Sequence, residues 1–167
     1  MKMFSVILAC LLPIAFAQDR LMMDTSSFSW SNCGGKKDTI VIDSLSISPA
    51  PLVAPGPVNI SASATIGSNA VSPIKVKVDI EKKVAIIWVS VPCLDSNIGS
   101  CTYDNVCQNV SGLCPIAAGS YSTGNFQIQL PSIDNSLAAG QFKIQVNIED
   151  GNGQKGCGLV YFKLNLA

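Results

Sequence analysis

Residues 74–93 read IKVKVDIEKKVAIIWVSVPC, and the spacing of their apolar side chains decides the kind of fold the chain can adopt. Ile74, Val76, Val78 and Ile80 fall on one face of an extended chain, and Lys75, Lys77, Asp79 and Glu81 on the other. That period of two belongs to a strand with one side buried and one side wet. Glu81-Lys82-Lys83 then reads as a turn, and a second strand follows over Val84–Val91. This second segment is unusual. Val84, Ile86 and Trp88 lie on one face and Ala85, Ile87, Val89 and Val91 on the other, so neither face is polar. Either it is a central strand covered on both sides, or it carries apolar surface beyond what a core requires.

The same alternation recurs on both sides of this segment. In QFKIQVNIED, residues 141–150, Phe142, Ile144, Val146 and Ile148 point inward while Gln141, Lys143, Gln145 and Asn147 point outward. Phe126, Ile128 and Leu130 repeat the pattern in FQIQL, and Thr39–Ile47, Val58–Ile66 and Leu159–Leu166 are further strand candidates. EDGNGQKG, residues 149–156, is a turn, since Asp-Gly and Asn-Gly pairs favour positive φ. Pro49, Pro51, Pro55 and Pro57 punctuate an expected loop. No helix-period segment of useful length follows the N-terminal region. Seven short antiparallel strands separated by turns predict an all-β sandwich.

The N-terminus, MKMFSVILACLLPIAFAQDR, has a charged start at Lys2, an apolar run from Phe4 to Leu12 and a small-x-small site at Ala15-Phe16-Ala17. Residues 1–17 are therefore expected to be a secretory signal peptide, too short to span a bilayer, and residues 18–167 a single domain. Every later apolar run is cut by charge, Pro or Gly, so the mature chain is expected to be soluble and either extracellular or lysosomal. Without Lys2 the net charge falls from zero to −1, and no basic cluster suits a nucleic acid.

Seven cysteines are present, and six remain once Cys10 leaves with the signal peptide. In an oxidising compartment an even number implies disulfides. Six cysteines permit about fifteen pairings; locality suggests Cys93–Cys101 and Cys107–Cys114, leaving Cys33 for Cys157. With no histidine in the chain, mixed Cys/His zinc sites and Ser-His or Cys-His nucleophile pairs are excluded, and no metal or cofactor is expected. Glu81, Glu149 and Asp150 read as solvated turn residues rather than a catalytic carboxylate pair. A calcium loop starting at Asp150 would need an acidic twelfth ligand, and Tyr161 stands there. Asn59 in NIS and Asn109 in NVS are N-glycosylation acceptors.

Several longer stretches carry a resemblance. SSFSWSNCGGKKD (26–38), PGPVNIS (55–61), IEKKVAIIWVSVPC (80–93), IGSCTYDNVC (98–107), GSYS (119–122) and GCGLVYFKLNL (156–166) resemble, in order and spacing, the ganglioside-activator branch of the ML lipid-recognition family. The resemblance spans nearly the whole mature chain. It implies an immunoglobulin-like β-sandwich opened into an apolar cup, with first-to-last, second-to-third and fourth-to-fifth disulfides. It also implies a carrier rather than an enzyme, one that lifts a glycolipid from a membrane and presents it to a soluble β-hexosaminidase. A sterol or fatty-acid carrier, or a secreted innate-recognition module, is the alternative on the same fold. Between Cys107 and Cys114 the chain departs from that branch: a long apolar excursion is reduced to QNVSGL, followed by CPI as in the sterol carriers. The expected cup lining is Val76, Val78, Ile86, Trp88, Phe126, Ile128, Phe142, Ile144 and Val146. Leu52, Val53 and Ala54 are the expected membrane-contact loop.

Overall fold

Alternation becomes strand along most of the chain, but the turns do not all fall where the sequence places them. The computed structural model describes residues 27–94, 99–109, 112–132 and 138–167, so the expected signal peptide lies outside the described residues. One sheet is built on β5 (Lys75–Val84), β9 (Gly140–Glu149) and β10 (Lys155–Leu166), with β1 (Phe28–Asn32) beside β10 and β6 (Ile87–Ser90) beside β5. Two short strands extend it: β3 (Leu52–Ala54) runs parallel to the end of β10, and β7 (Thr102–Tyr103) pairs with β5. The second sheet has the order β2 (Ile40–Ser48), β4 (Gly56–Ile66), β8 (Gly119–Leu130). A single turn of helix, α1 (Val106–Asn109), follows β7.

The residues opening the sequence analysis form a hairpin and not two strands joined at Glu81-Lys82-Lys83. Strand β5 runs on to Val84, which pairs with Ile87, so the turn is the two-residue loop Ala85-Ile86. Ala85 takes a φ of 53°, the left-handed conformation that two-residue hairpin loops require. Three charged residues in a row suggested the turn, but Glu81 and Lys82 both have cross-strand partners in β9, at Lys143 and Phe142. The strand Val84–Val91 is accordingly not central. Its β6 portion lies at the outer edge of the sheet order. The proline-punctuated segment also differs from expectation, since Leu52–Ala54 is strand and Ala54 is buried.

Cross-strand register sorts the faces. Gly156 and Gly158 of β10 share a face with Val160 and Phe162, and a Cβ built on either would strike β2: 2.6 Å from the Ile40 carbonyl oxygen at Gly156, 2.6 Å from Ile42 Cδ1 at Gly158. That face therefore looks at the second sheet, and the two glycines let the sheets close upon each other there. The Cys33–Cys157 disulfide lies at the same end, and Cys93–Cys101 and Cys107–Cys114 complete the predicted set. On the outer face of the second sheet, hydroxyls pair across strands, Ser44 with Ser63 at 2.6 Å and Ser46 with Ser61 at 2.7 Å.

An ordinary sandwich would bury the two inner faces against each other. Here, among the described residues, the buried hydrophobics are Ala54, Val58, Ala70, Ile74 and Cys101, and Val58 is the one large side chain fully enclosed. The strands are long and their inner faces apolar, yet the core they enclose is small.

Candidate functional site: an open apolar cup

The inner face of the first sheet is laid out by register. Val76 stands opposite Ile148, Val78 opposite Val146, Ile80 opposite Ile144 and Lys82 opposite Phe142. The last row continues through Phe162 to Phe28, and Phe142 and Phe162 stack with ring centroids 5.3 Å apart. From the second sheet, Val58 pairs with Ile128 and Ile60 with Phe126. The sheets touch where β2 packs on β10 and β1. They part toward β8 on one side and β5–β6 on the other, which shows in exposure: Phe126 is 42% exposed, Ile128 40% and Val89 43%, against 1% for Val58. Apolar side chains that alternate inward yet remain this accessible line an open cup rather than a closed core.

At the rim the hairpin turn is more exposed still. Ile86 is 90% accessible, Ile87 60% and Val84 50%, with the exposed Lys83 beside them. Single exposed apolar residues are common on soluble proteins, but three within four positions at the end of one hairpin are a contiguous apolar tip.

The sequence matches the ML domain over residues 27–163. It is 35% identical over 151 residues to the ganglioside GM2 activator of Mus musculus, a match covering 78% of each chain. The activator of Macaca fascicularis is 33% identical over 155 residues, covering 78% of this chain and 80% of that one. The chain belongs to the ML-domain family. Among solved structures, a Niemann-Pick type C2 protein from the Japanese carpenter ant superposes with a TM-score of 0.51 at 13% identity, covering 82% of this chain and 99% of that one. That likeness speaks to the fold.

Within this ML domain the expected lining residues separate into groups. Val76, Val78, Ile144, Val146 and Phe142 lie together on the inner face of the first sheet, half-buried, and face the side that carries Phe126 and Ile128. Ile86 is at the hairpin turn and so belongs to the rim. Trp88 requires a correction. It pairs with Lys83, on the face opposite Ile80 and Lys82, because the turn at Ala85-Ile86 reverses the alternation read through a single strand. Its indole packs on the outer face among cations, with Lys143 Nζ 5.4 Å and Lys83 Nζ 5.8 Å from its ring centroid and Tyr161 edge-on at 5.9 Å. Lys143 also pairs with Glu81, which is thus a strand residue and not a solvated turn.

Leu52 and Val53 are half-buried in β3, and the burial of Ala54 at 1% exposure leaves it no surface to offer a membrane in this fold. Asn59 stands on the outer face of the second sheet, where its Oδ1 accepts a hydrogen bond from Gln127 Nε2 at 3.1 Å. Asn109 closes α1, and its side chain lies outside the described residues. Register, and not composition, adds Phe28, Ile80, Lys82, Val89 and Phe162 to the inner surface. Period-two counting through Ile80 already puts Lys82 and Val84 on that side; the turn expected at Glu81-Lys82-Lys83 concealed it.

A hollow of about 390 Å³ lies at the closed end, on the outer face beside Cys33–Cys157, with Lys75, Lys77, Asn147, Glu149 and Lys155 in its wall. Its lysines are ion-paired, Lys75 with Asp104 at 3.3 Å, Lys77 with Asp79 at 3.0 Å and Lys155 with Glu149 at 3.6 Å. Its wall is polar and self-neutralised, unlike the apolar inner faces of the two sheets.

Proposed function

We propose that this ML domain is a non-enzymatic lipid carrier. It takes an amphiphile from a membrane at the apolar hairpin turn, holds the hydrocarbon between the two sheets and offers the headgroup at the mouth. One observation carries the reading: inner faces that are apolar in sequence remain half-exposed in the fold. Each methylene withdrawn from water gains about 0.8 kcal/mol, so a dry cup lined by Val78, Ile144, Phe126 and Ile128 can hold a chain that would otherwise stay in the bilayer. The relatedness to ganglioside activators supports a glycolipid as one cargo and presentation to a soluble glycosidase such as a β-hexosaminidase as its use. The expected signal peptide, the disulfides and the glycosylation acceptors support a secretory or lysosomal setting.

The test is transfer of a fluorescent glycolipid between vesicles by the mature protein, alongside an Ile86→Asp variant. Wild type is expected to speed transfer. The variant, losing roughly 2 kcal/mol of apolar insertion, is expected to associate with vesicles at least tenfold more weakly while retaining its circular dichroism. Protein that neither transfers lipid nor carries any in native mass spectrometry would overturn the carrier reading. Adding β-hexosaminidase separates the finer step: unchanged hydrolysis of vesicle-held glycolipid would remove presentation and leave the carrier.

A further inference from the structure

Among the described residues the inner face of the first sheet carries one cation, Lys82, set among apolar side chains, while the polar Asn32 of β1 is engaged with the Ile42 backbone of β2. Lys82 lies in the row with Val89, Phe142, Phe162 and Phe28, on the same side as Ile80 and Ile144. It is half-buried, and its Nζ sits 5.8 Å from the centroid of the Phe142 ring. Lys143, the other half-buried lysine of the described strands, has Glu81 as a partner. Lys82 makes no ion pair among the described residues, although Lys75, Lys77, Lys143 and Lys155 all do. Gly140 lies beside it, and a Cβ there would come within 3.3 Å of Lys82 Cε, so the absence of a side chain at 140 leaves room for the lysine stem.

An ammonium in this position is partly stripped of water and compensated by little more than the face of one aromatic ring. An anion entering with the cargo would complete it. We infer that Lys82 selects acidic lipids by binding a carboxylate of the headgroup while the hydrocarbon occupies the cup; the inference rests on the carrier reading above. The carboxylate has two sources, a free fatty acid or the acidic sugar of a glycolipid, and both present the same charge to Nζ. A neutral lipid of the same chain length would gain the hydrophobic contacts but leave Lys82 uncompensated.

The test compares two matched pairs of probes on the full mature chain: oleate against oleyl alcohol, and an acidic glycolipid against the same glycolipid lacking its acidic sugar. Wild type is expected to bind the acidic member roughly tenfold or more tightly in at least one pair, the scale of a charge-assisted hydrogen bond. The pair that discriminates identifies the source. Lys82→Met, which keeps the aliphatic stem, is expected to abolish the preference, and Lys82→Arg to retain it. Equal affinity of wild type for both members of both pairs, or a preference that survives in Lys82→Met, overturns the inference and leaves the carrier reading intact. Failure of all four probes to bind overturns both.

Discussion

Asp150 is a turn residue that the fold has turned into a joint. Its Oδ1 accepts the backbone N–H groups of Asn152 and Gln154 at 2.9 and 2.8 Å, and its Oδ2 accepts the N–H of Val71 and the Gln154 side-chain amide, each at 3.0 Å. The side chain is 5% exposed. Burial alone would raise its pKa, but the hydrogen bonds from Val71, Gln154 and Asn152 outweigh burial and hold it below the ordinary carboxylate value. A depressed folded pKa contributes stability that is fully present above the unfolded value of about 3.9 and lost as pH falls through the lower folded value. Moderate acidity therefore leaves this joint intact. Asp150→Asn places an amide NH₂ against donors and is expected to cost about 1–3 kcal/mol at neutral pH in urea denaturation. The difference from wild type should shrink below about pH 3.9; a gap that stays constant there would exclude the carboxylate charge as its source. The sequence marks EDGNGQKG as a turn, and it is one, with Asp150 N–H bonded to the Gln154 carbonyl at 3.0 Å. It reads Asp150 as solvated because Val71, which helps enclose it, is 79 positions away along the chain.

Among the elements, β10 sets the shape of the cup through the sizes of its inward residues. Gly156 and Gly158 let β2 lie close against one end of the strand, and the larger inward residues Val160, Phe162 and Leu164 follow along it. The two glycines are not equivalent. A methyl at 156 meets a backbone carbonyl oxygen at 2.6 Å, which moves only if a strand moves, whereas a methyl at 158 meets the terminal carbon of Ile42. Gly156→Ala is expected to lower stability by about 1–3 kcal/mol, and Gly158→Ala by less, because Ile42 can change rotamer. Thermal melts of the two variants check the order, and equal losses would mean that the close approach does not limit the sheet spacing. Strand identity was legible from alternation in β5 and β9. The hairpin turn was not, because Ala-Ile is not a turn signature. Only the pairing of Val84 with Ile87 forces Ala85 to a positive φ.

For the molecule as a whole, the disulfides hold together a sandwich with little enclosed core. Cys33–Cys157 closes a separation of 124 residues, against 8 and 7 for the other two. Constraint of the unfolded chain is worth about 5 kcal/mol for the long loop and about 2.5 for each short one. Replacing Cys33 and Cys157 together by Ser should thus lower stability in denaturant more than replacing Cys93 and Cys101; the reverse order would show that native contacts, not chain entropy, dominate the bridges. The sequence by itself determined the all-β class, the longer strands of both sheets and the family, because alternation and cysteine order are properties of the chain taken locally, while the short β1, β3 and β7 carried no such signal. Tertiary structure alone decided that Trp88 faces outward, that Lys82 faces inward, that Ala54 is buried and that the turn is Ala85-Ile86. The reason is physical. Period two says which residues share a face, but only the pairing of strands says where the chain reverses and which face meets the other sheet, and only the distance between the sheets says whether that face becomes core or cup.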